Sequence, residues 1–559
     1  MFLLWAGCLI FVCACGLSLF IARTAERGAK RSLHQSLHHY SPYVRYMQDK
    51  HDLNGIGFAQ QLTRHMGGLS LFGLSFTSLS MLGGAVLFLG PALAAGGPAV
   101  IGVGWPVLTF LGIVTASSLA ALASAIPTAG GCYHWALSAG GRRMGLWSGW
   151  LHFLGTILLL VTTNLLLADW LYKVMETRLG YAGGGELYYA LLIVLFLTQA
   201  LLNVRGVHSL GKIAGISSGL QLLVWLAIIL FFVAAAWPAS YPFQMLSGTD
   251  PIAGSAPGNS SQSGMLIGML MLQRLFLGID HAGQMAEETR DPRIIVPWSI
   301  FFSSVAFGLF GFILFVLLLM WFPLGSEGLY GYSDIGTWFI TFWTKWGAMS
   351  NTILLLLIIS FMWMNGNASV AAASRTLFAM ARDEAAPFSN RLSAVSVLYR
   401  TPLRAVLAVS IVAGVASLVL KAVAAGAMTP QTTLLQLILL SVAALHIAMA
   451  LPIGAKLYGE MTNRNLSKLK GPWNLGAYGV FADAISVCWL SISAAAAFAF
   501  MNPVVLLSIT IAVLIGGLLI EWKYRALLKK VPFKVVGSIR FSRRSIDECI
   551  RIERKFPQH

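Results

Sequence analysis

The chain has 559 residues, 57% hydrophobic and 11% charged, with a mean hydropathy of +0.75; these values exclude an ordinary water-soluble globular protein and indicate a polytopic membrane protein. Its 38 Lys and Arg against 21 Asp and Glu give a formal charge of +17, but the basic residues fall between apolar spans without an aromatic-interleaved patch. That pattern argues against nucleic acid as a partner and for basic loops on the cytoplasmic side of a bilayer.

The first apolar run, Phe2 to Ala22, has no positive residue before it, whereas Arg23, Arg27, Lys30 and Arg31 follow it directly. A secretory signal has the opposite charge order, so the run reads as an uncleaved extra helix with its C-terminal end in the cytoplasm. The alternatives are an upstream start-site artefact or an unusual signal peptide. Residues 23–68 form a polar, basic, His-rich linker expected in the cytoplasm as a solvated segment, with contact to the membrane surface through its seven Lys and Arg as the alternative. From Gly68 onward, apolar stretches of about 20 residues alternate with short polar connections, the length that crosses roughly 30 Å of hydrocarbon. Spans are expected near 69–95, 99–125, 145–172, 187–204, 211–237, 264–288, 296–322, 350–380, 402–422, 431–457, 476–499 and 502–523. That makes twelve after the extra helix. Arg142 and Arg143, Arg205 and Lys212, Arg290 and Arg293, and Arg375 to Arg404 mark one side as cytoplasmic; stretches 90–98 and 238–263 carry no Lys or Arg. The basic tail after Trp522 falls on the same side.

Two spans are interrupted. The first holds Ser78, Ser80, Gly83 and Gly84 near its middle, and adjacent glycines lower the cost of leaving helical dihedrals. The sixth, Gly264 to Pro292, is loosened around Leu277 and Gly278 and carries Arg274 and Asp280 at a depth where charge is costly. Close helix packing at small residues would explain the first interruption alone. Matched breaks in successive five-helix halves instead mark an inverted repeat with a ligand held between them. Unwinding frees N–H groups, which favour a carboxylate, and C=O groups, which favour an ammonium. The expected anion contacts are the backbone around Ser80, Gly83, Gly84 and Ala85; the expected ammonium contacts are carbonyls around Leu275, Phe276 and Gly278.

The stretch Pro127 to Trp135 reads P-T-A-G-G-C-Y-H-W and resembles the P-T-x-G-G-x-Y-x-W signature of amino acid-polyamine-organocation permeases, especially the amino acid/choline branch that includes GABA permeases. Gly278 to Thr289, Ser374 to Pro387 and Gly471 to Gly476 are similar to three further motifs of that branch, in the same order. The resemblance covers about residues 65 to 525. It implies an all-α fold with a five-plus-five inverted-repeat core, two peripheral helices, and alternating-access transport of an amino acid or amine. On that frame the chain divides into an extra N-terminal helix (1–22), the linker (23–68), a first repeat (69–237), a second repeat (264–457), peripheral helices (476–523) and a cytoplasmic tail (524–559).

Ile279 departs from the branch, replacing its usual aromatic and removing a surface for cation-π recognition. Arg274 stands roughly 16 Å into its helix and is expected to engage either Asp280 or an anionic substrate group, unless it merely snorkels into a vestibule. Asp280 is a candidate for proton coupling, gating or fixing the half-helices. Lys212 matches a position where some relatives place a Lys in lieu of a coupling sodium ion, and equally obeys the charge rule. Glu287, with Glu288, is a gating candidate or a solvated acidic turn. Asn367, with Asn365 and Ser369, either lines a cavity or bonds between helices. His152, His446 and Asp483 read as packing residues. No Ser/Thr cluster marks a sodium site, so of H+ and Na+ the proton, or simple exchange, is the expected coupling.

No P-loop, H-E-x-x-H, G-x-S-x-G or Cys/His metal pattern is present, so neither an enzyme nor a cofactor is expected. The six cysteines lack C-x-x-C spacing and imply no disulfide framework. The second function class is a transporter-like nutrient sensor that signals through residues 1–68 or the tail. The expected partners are a small amino acid or amine and the lipid bilayer, with a plasma or bacterial inner membrane as the location; nothing in the sequence bears on oligomeric state.

Overall fold

Within hydrocarbon no water is available to satisfy backbone N–H and C=O groups, so an apolar run of membrane length has to bond within itself and becomes helical. In a computed structural model of the chain the described residues are predominantly α-helical, and the only β pairing among them is an isolated bridge between Met66 and Thr289. It describes residues 2–33, 41–79, 81–180, 185–234, 243–248, 261–321, 348–427, 430–462, 470–503, 507, 511, 514–519, 521–522 and 543–556.

In chain order the helices are α1 (Phe2–Leu33), α2 (Pro42–Ile56), α3 (Gly68–Leu79), α4 (Met81–Gly96), α5 (Trp105–Ala125), α6 (Cys132–Gly140), α7 (Arg142–Leu179), α8 (Gly185–Val204) and α9 (Val207–Ala234). There follow α10 (Ser261–Gln273), the short α11 (His281–Gln284), α12 (Pro292–Trp321), α13 (Ala348–Arg382), α14 (Ser389–Leu392), α15 (Leu403–Ala427), α16 (Pro430–Met461), α17 (Tyr478–Ala499) and α18 (Arg543–Glu553). Eleven helices among the described residues are long and apolar enough to cross a membrane, or twelve if the bent pair α3 and α4 counts as one span. The last expected span, 502–523, lies only partly within the described residues.

The core is built by α12 against α5, by α16 against α7 and α17, and by α13 against α7. The pairs α3 with α9 and α4 with α10 bring the two interrupted spans into that core. The extra helix docks on its rim: Ala14, Ile21 and Ala25 are buried with Ile113, Ala120 and Trp473, while Phe2, Trp5, Leu9 and Val12 face outward. It runs past the expected boundary at residue 22 to Leu33. The linker is also not wholly solvated. It contains α2, started by Ser41, whose hydroxyl accepts from Val44 N, and stopped by Gly57 at φ 98°.

Candidate functional site

Both expected interruptions are present, and they pack on each other. The first span bends by 59° between Gly68–Gly84 and Phe88–Gly96. The second stops at Gln273, passes through a 3-10 turn at Arg274–Phe276 and an extended Leu277, and resumes as α11 after Asp280. Gly278 sits at φ 94°, where a side chain is strained, and a Cβ there would stand 3.1 Å from the His281 ring and from Ser78 Cβ. A Cβ on Gly84 would meet Leu275 Cδ2 at 2.3 Å. The glycines therefore permit the close approach of one break to the other. Ser80 lies outside the described residues, as does the side chain of Ala85; Gly83, Leu275, Phe276 and Ile279 are buried at the junction.

Asp280 is fully buried beside the second break. Its Oδ2 accepts from His152 Nε2 at 2.6 Å, from Gln284 Nε2 at 3.0 Å and from the Cys132 thiol at 3.7 Å. His152 Nδ1 lies 3.3 Å from the Thr376 hydroxyl, a group able to donate to a neutral ring or accept from a charged one. Asp280 Oδ1, Gln284 Oε1 and His281 Nε2 have no hydrogen-bond partner among the described residues. His281 Nδ1 faces Ser78 Oγ at 3.1 Å, while Ser78 donates to Leu74 O, so Nδ1 carries the hydrogen and Nε2 is an acceptor. Three unpaired acceptors thus follow Gly278 within a few residues.

The expectation that His152 merely packs is corrected: its Nε2 is hydrogen-bonded to the Asp280 carboxyl. The same fold brings Cys132, His152 and Asp280 within 4.8 Å of one another, a grouping that linear spacing hides because each comes from a different segment. Ligand atoms around a metal stand roughly 3.3 Å apart when each is ~2.0–2.3 Å from the ion. The 2.6 Å His152–Asp280 contact instead fits a shared proton.

Arg274 is 3% exposed and takes no carboxylate partner among the described residues, so the expected pairing with Asp280 is not formed. Its Nη2 donates to Leu159 O at 3.1 Å and Thr163 Oγ1 at 2.9 Å, and the guanidinium lies 5.5 Å from the Phe88 ring centroid. The Thr163 hydroxyl shares its one hydrogen between Leu159 O at 2.8 Å and Asn365 Oδ1 at 3.1 Å, and Asn365 Nδ2 donates to the carbonyls of Thr77 and Ser78 at the first break. One polar chain therefore runs from break to break through α7 and α13. Asn365 supplies that link, whereas Asn367 bonds Asn203 on α8. Lys212 is exposed on α9, and Asp483 is held by Lys456 at 2.8 Å. His152, Thr156 and Thr163 recur on one face of α7 at helical spacing, a polar stripe that sequence reading could have used.

At the Arg-rich end of the bundle the second span closes in a cluster of buried ion pairs. Glu287 is gripped by both terminal nitrogens of Arg382 at 2.8 and 2.9 Å and also accepts from Ala129 N. Glu288 is gripped by Arg375 at 3.0 and 3.1 Å. A solvated acidic turn is thereby excluded for both. Gly131, at φ 48°, leaves room for Gln284, whose amide would lie 2.6 Å from a Cβ there.

The model of the amino acid permease family matches residues 67–541. The chain belongs to the amino acid permease family. The permease is 25% identical over 469 residues to a rice protein (Oryza sativa subsp. japonica) named amino-acid permease BAT1 homolog, covering 78% of this chain and 85% of that protein. It is 24% identical to amino-acid permease BAT1 of Arabidopsis thaliana, over 78% of this chain and 86% of that one. It is also 26% identical to thiamine transporter thi9 of Schizosaccharomyces pombe, over 62% and 65% respectively. It is a multi-pass membrane transporter of the amino acid-polyamine-organocation superfamily, as the motifs implied, and not an enzyme.

Proposed function

We propose that the permease carries an amino acid or a related amine across the membrane by alternating access, and that the His152–Asp280 pair takes up the coupling proton. The observation that carries this reading is a fully buried carboxylate at the hinge of a broken helix, sharing one oxygen with an imidazole and keeping the other without a partner. Protonating this pair changes the charge beside the break, and with it the balance between closed and open arrangements. The unpaired acceptors Asp280 Oδ1, His281 Nε2 and Gln284 Oε1 suit the N–H donors of an ammonium. Arg274 supplies positive charge to an anionic substrate group, an assignment favoured by its lack of a carboxylate partner among the described residues. The relatives' names span amino-acid permeases and a thiamine transporter, which keeps heterocyclic amines among the candidate substrates.

A counterflow and gradient assay in proteoliposomes tests this. His152→Gln is expected to abolish proton-gradient-driven accumulation while equilibrium exchange of preloaded substrate survives; Asp280→Asn is expected to abolish accumulation and, by removing the charge of an ammonium acceptor, to raise KM for exchange as well. Accumulation at wild-type level in Asp280→Asn would remove the proton role. The second reading, a sensor that binds without net transport, is favoured by the packing of residues 57–66 and α18 over the Arg-rich end. Net uptake by the purified protein excludes it.

A further inference from the structure

Outside the substrate path, the Arg-rich end holds a cavity of about 550 Å³ that none of the transport residues lines. Its wall comes from four segments: Tyr43, Arg45, Tyr46 and Asp49 of α2, residues 63–65 of the strap that follows, Arg290 and Asp291 after the second broken span, and Arg400 before α15. The size falls in the range of small-molecule sites, ~300–1,000 Å³. Four guanidinium groups face two carboxylates. Arg64 is the floor: it donates to Gln60 Oε1, Asp49 O, Ala286 O and Thr289 O, and is committed to structure. Arg290 uses only Nε, toward Arg64 O at 3.4 Å, and the Arg400 guanidinium has no partner among the described residues. Tyr46 OH is buried without a hydrogen-bond partner among the described residues, and burial pushes its pKa up to about 12, so it stays a donor. Burial first, then the charges of His208, Arg290 and Arg400, hold the His65 imidazole below its usual range.

Backbone strain singles out the same place. Asp291 and Arg400 have φ of 43° and 50°, two of the four non-glycine residues with positive φ among those described. Such conformations persist where the surroundings over-determine them and concentrate at ligand sites and switches. Unspent guanidinium donors, a protonated phenol and surplus positive charge match the tetrahedral, multiply charged oxygens of a phosphate group.

We infer that this cavity binds a phosphate-bearing anion, bridged between Arg290 and Arg400. Such a ligand would tie the end of the second broken span to the loop before α15. The strap joins the same tie, because Met66 N donates to Glu288 O and Arg290 N to Met66 O, each at 3.0 Å. Occupancy therefore holds the Arg-rich end shut and slows transport; that consequence rests on the alternating-access reading, whereas binding does not.

The test uses full-length protein in lipid nanodiscs, titrated with inorganic pyrophosphate and with ATP, and a parallel set in which phosphatidylinositol bisphosphate replaces phosphatidylserine. Calorimetric Kd and apparent Tm are read in each. Saturable, salt-sensitive binding is expected, weakened about tenfold or more by Arg290→Gln and by Arg400→Gln but not by Lys30→Gln. Binding of pyrophosphate or ATP identifies a free phosphate; stabilisation by the phosphoinositide alone identifies a headgroup, and both outcomes support the site. No binding in any arm, or Kd values within about twofold of wild type in both arginine variants, overturns it. Each arginine is replaced singly, so a variant that fails to fold leaves the other to decide.

Discussion

Arg274 places a guanidinium that is 3% exposed among helices of a membrane bundle, held by one carbonyl and one hydroxyl rather than by a carboxylate. Its Nε has no partner among the described residues. A buried charge in that condition is costly unless a ligand completes it. If an anionic substrate group does so, Arg274→Met raises KM for uptake by about 10- to 100-fold, the loss of a hydrogen bond to a charged group worth ~1.5–3 kcal/mol. Arg274→Lys keeps the charge and recovers part of it. Unchanged KM and selectivity in Arg274→Met would remove the residue from the substrate site. Asp280 was legible as a polar residue at a break, but its partner His152 stands 128 positions away, a juxtaposition that helix rotation decides.

At the scale of elements, α2 is the clearest case of a segment whose docking depends on one group. Asp49 is buried where α2 meets the membrane bundle; its Oδ2 accepts from Asp291 N at 2.9 Å. Burial raises its pKa from 3.8 to about 6, opposed by Arg64 and by the Asp291 N–H, with Asp291 and Asp52 adding to the rise. Because the docked state has the higher pKa, the contribution to docking is fully present below the undocked value of 3.8 and is lost as pH rises through about 6. The full difference amounts to at most about 3 kcal/mol. Hydrogen exchange of residues 42–56, corrected for intrinsic rates, is therefore expected to show stronger protection at pH 5 than at pH 7. Asp49→Asn should flatten the dependence; an equally steep profile in that variant would assign it to another group. The broken spans, by contrast, depend on glycine: Gly84 makes room for the Leu275 side chain, and Gly278 for the His281 ring and Ser78 Cβ.

Across the whole molecule, the Arg-rich end is closed by pairs that join distant segments. Arg375 and Arg382 of α13 hold Glu288 and Glu287, His134 of α6 holds Asp383 at 3.0 Å, and Glu553 of α18 reaches both Lys50 and Gln60 N. Removing one partner of a fully buried pair leaves an uncompensated charge worth ~3–5 kcal/mol. Glu288→Gln should accordingly lower Tm, and the exchange Glu288→Arg with Arg375→Glu should restore part of the loss. A Tm unchanged in Glu288→Gln would mean that Arg375 is solvated at this end.

Span positions, the two interruptions and the family were legible in the chain because they arise from local constraints. A bilayer sets the length of an apolar run, unsatisfied backbone forces helix, and paired glycines and polar residues mark where helix fails. Rotation of each helix about its axis is not a local property. It decided that His152 meets Asp280, that Arg274 reaches Thr163, that Asn365 and not Asn367 touches the first break, and that residues 43–65 and Arg400 enclose one cavity. Those contacts join residues tens to hundreds of positions apart, and only packing of the whole bundle brings such side chains within hydrogen-bond reach.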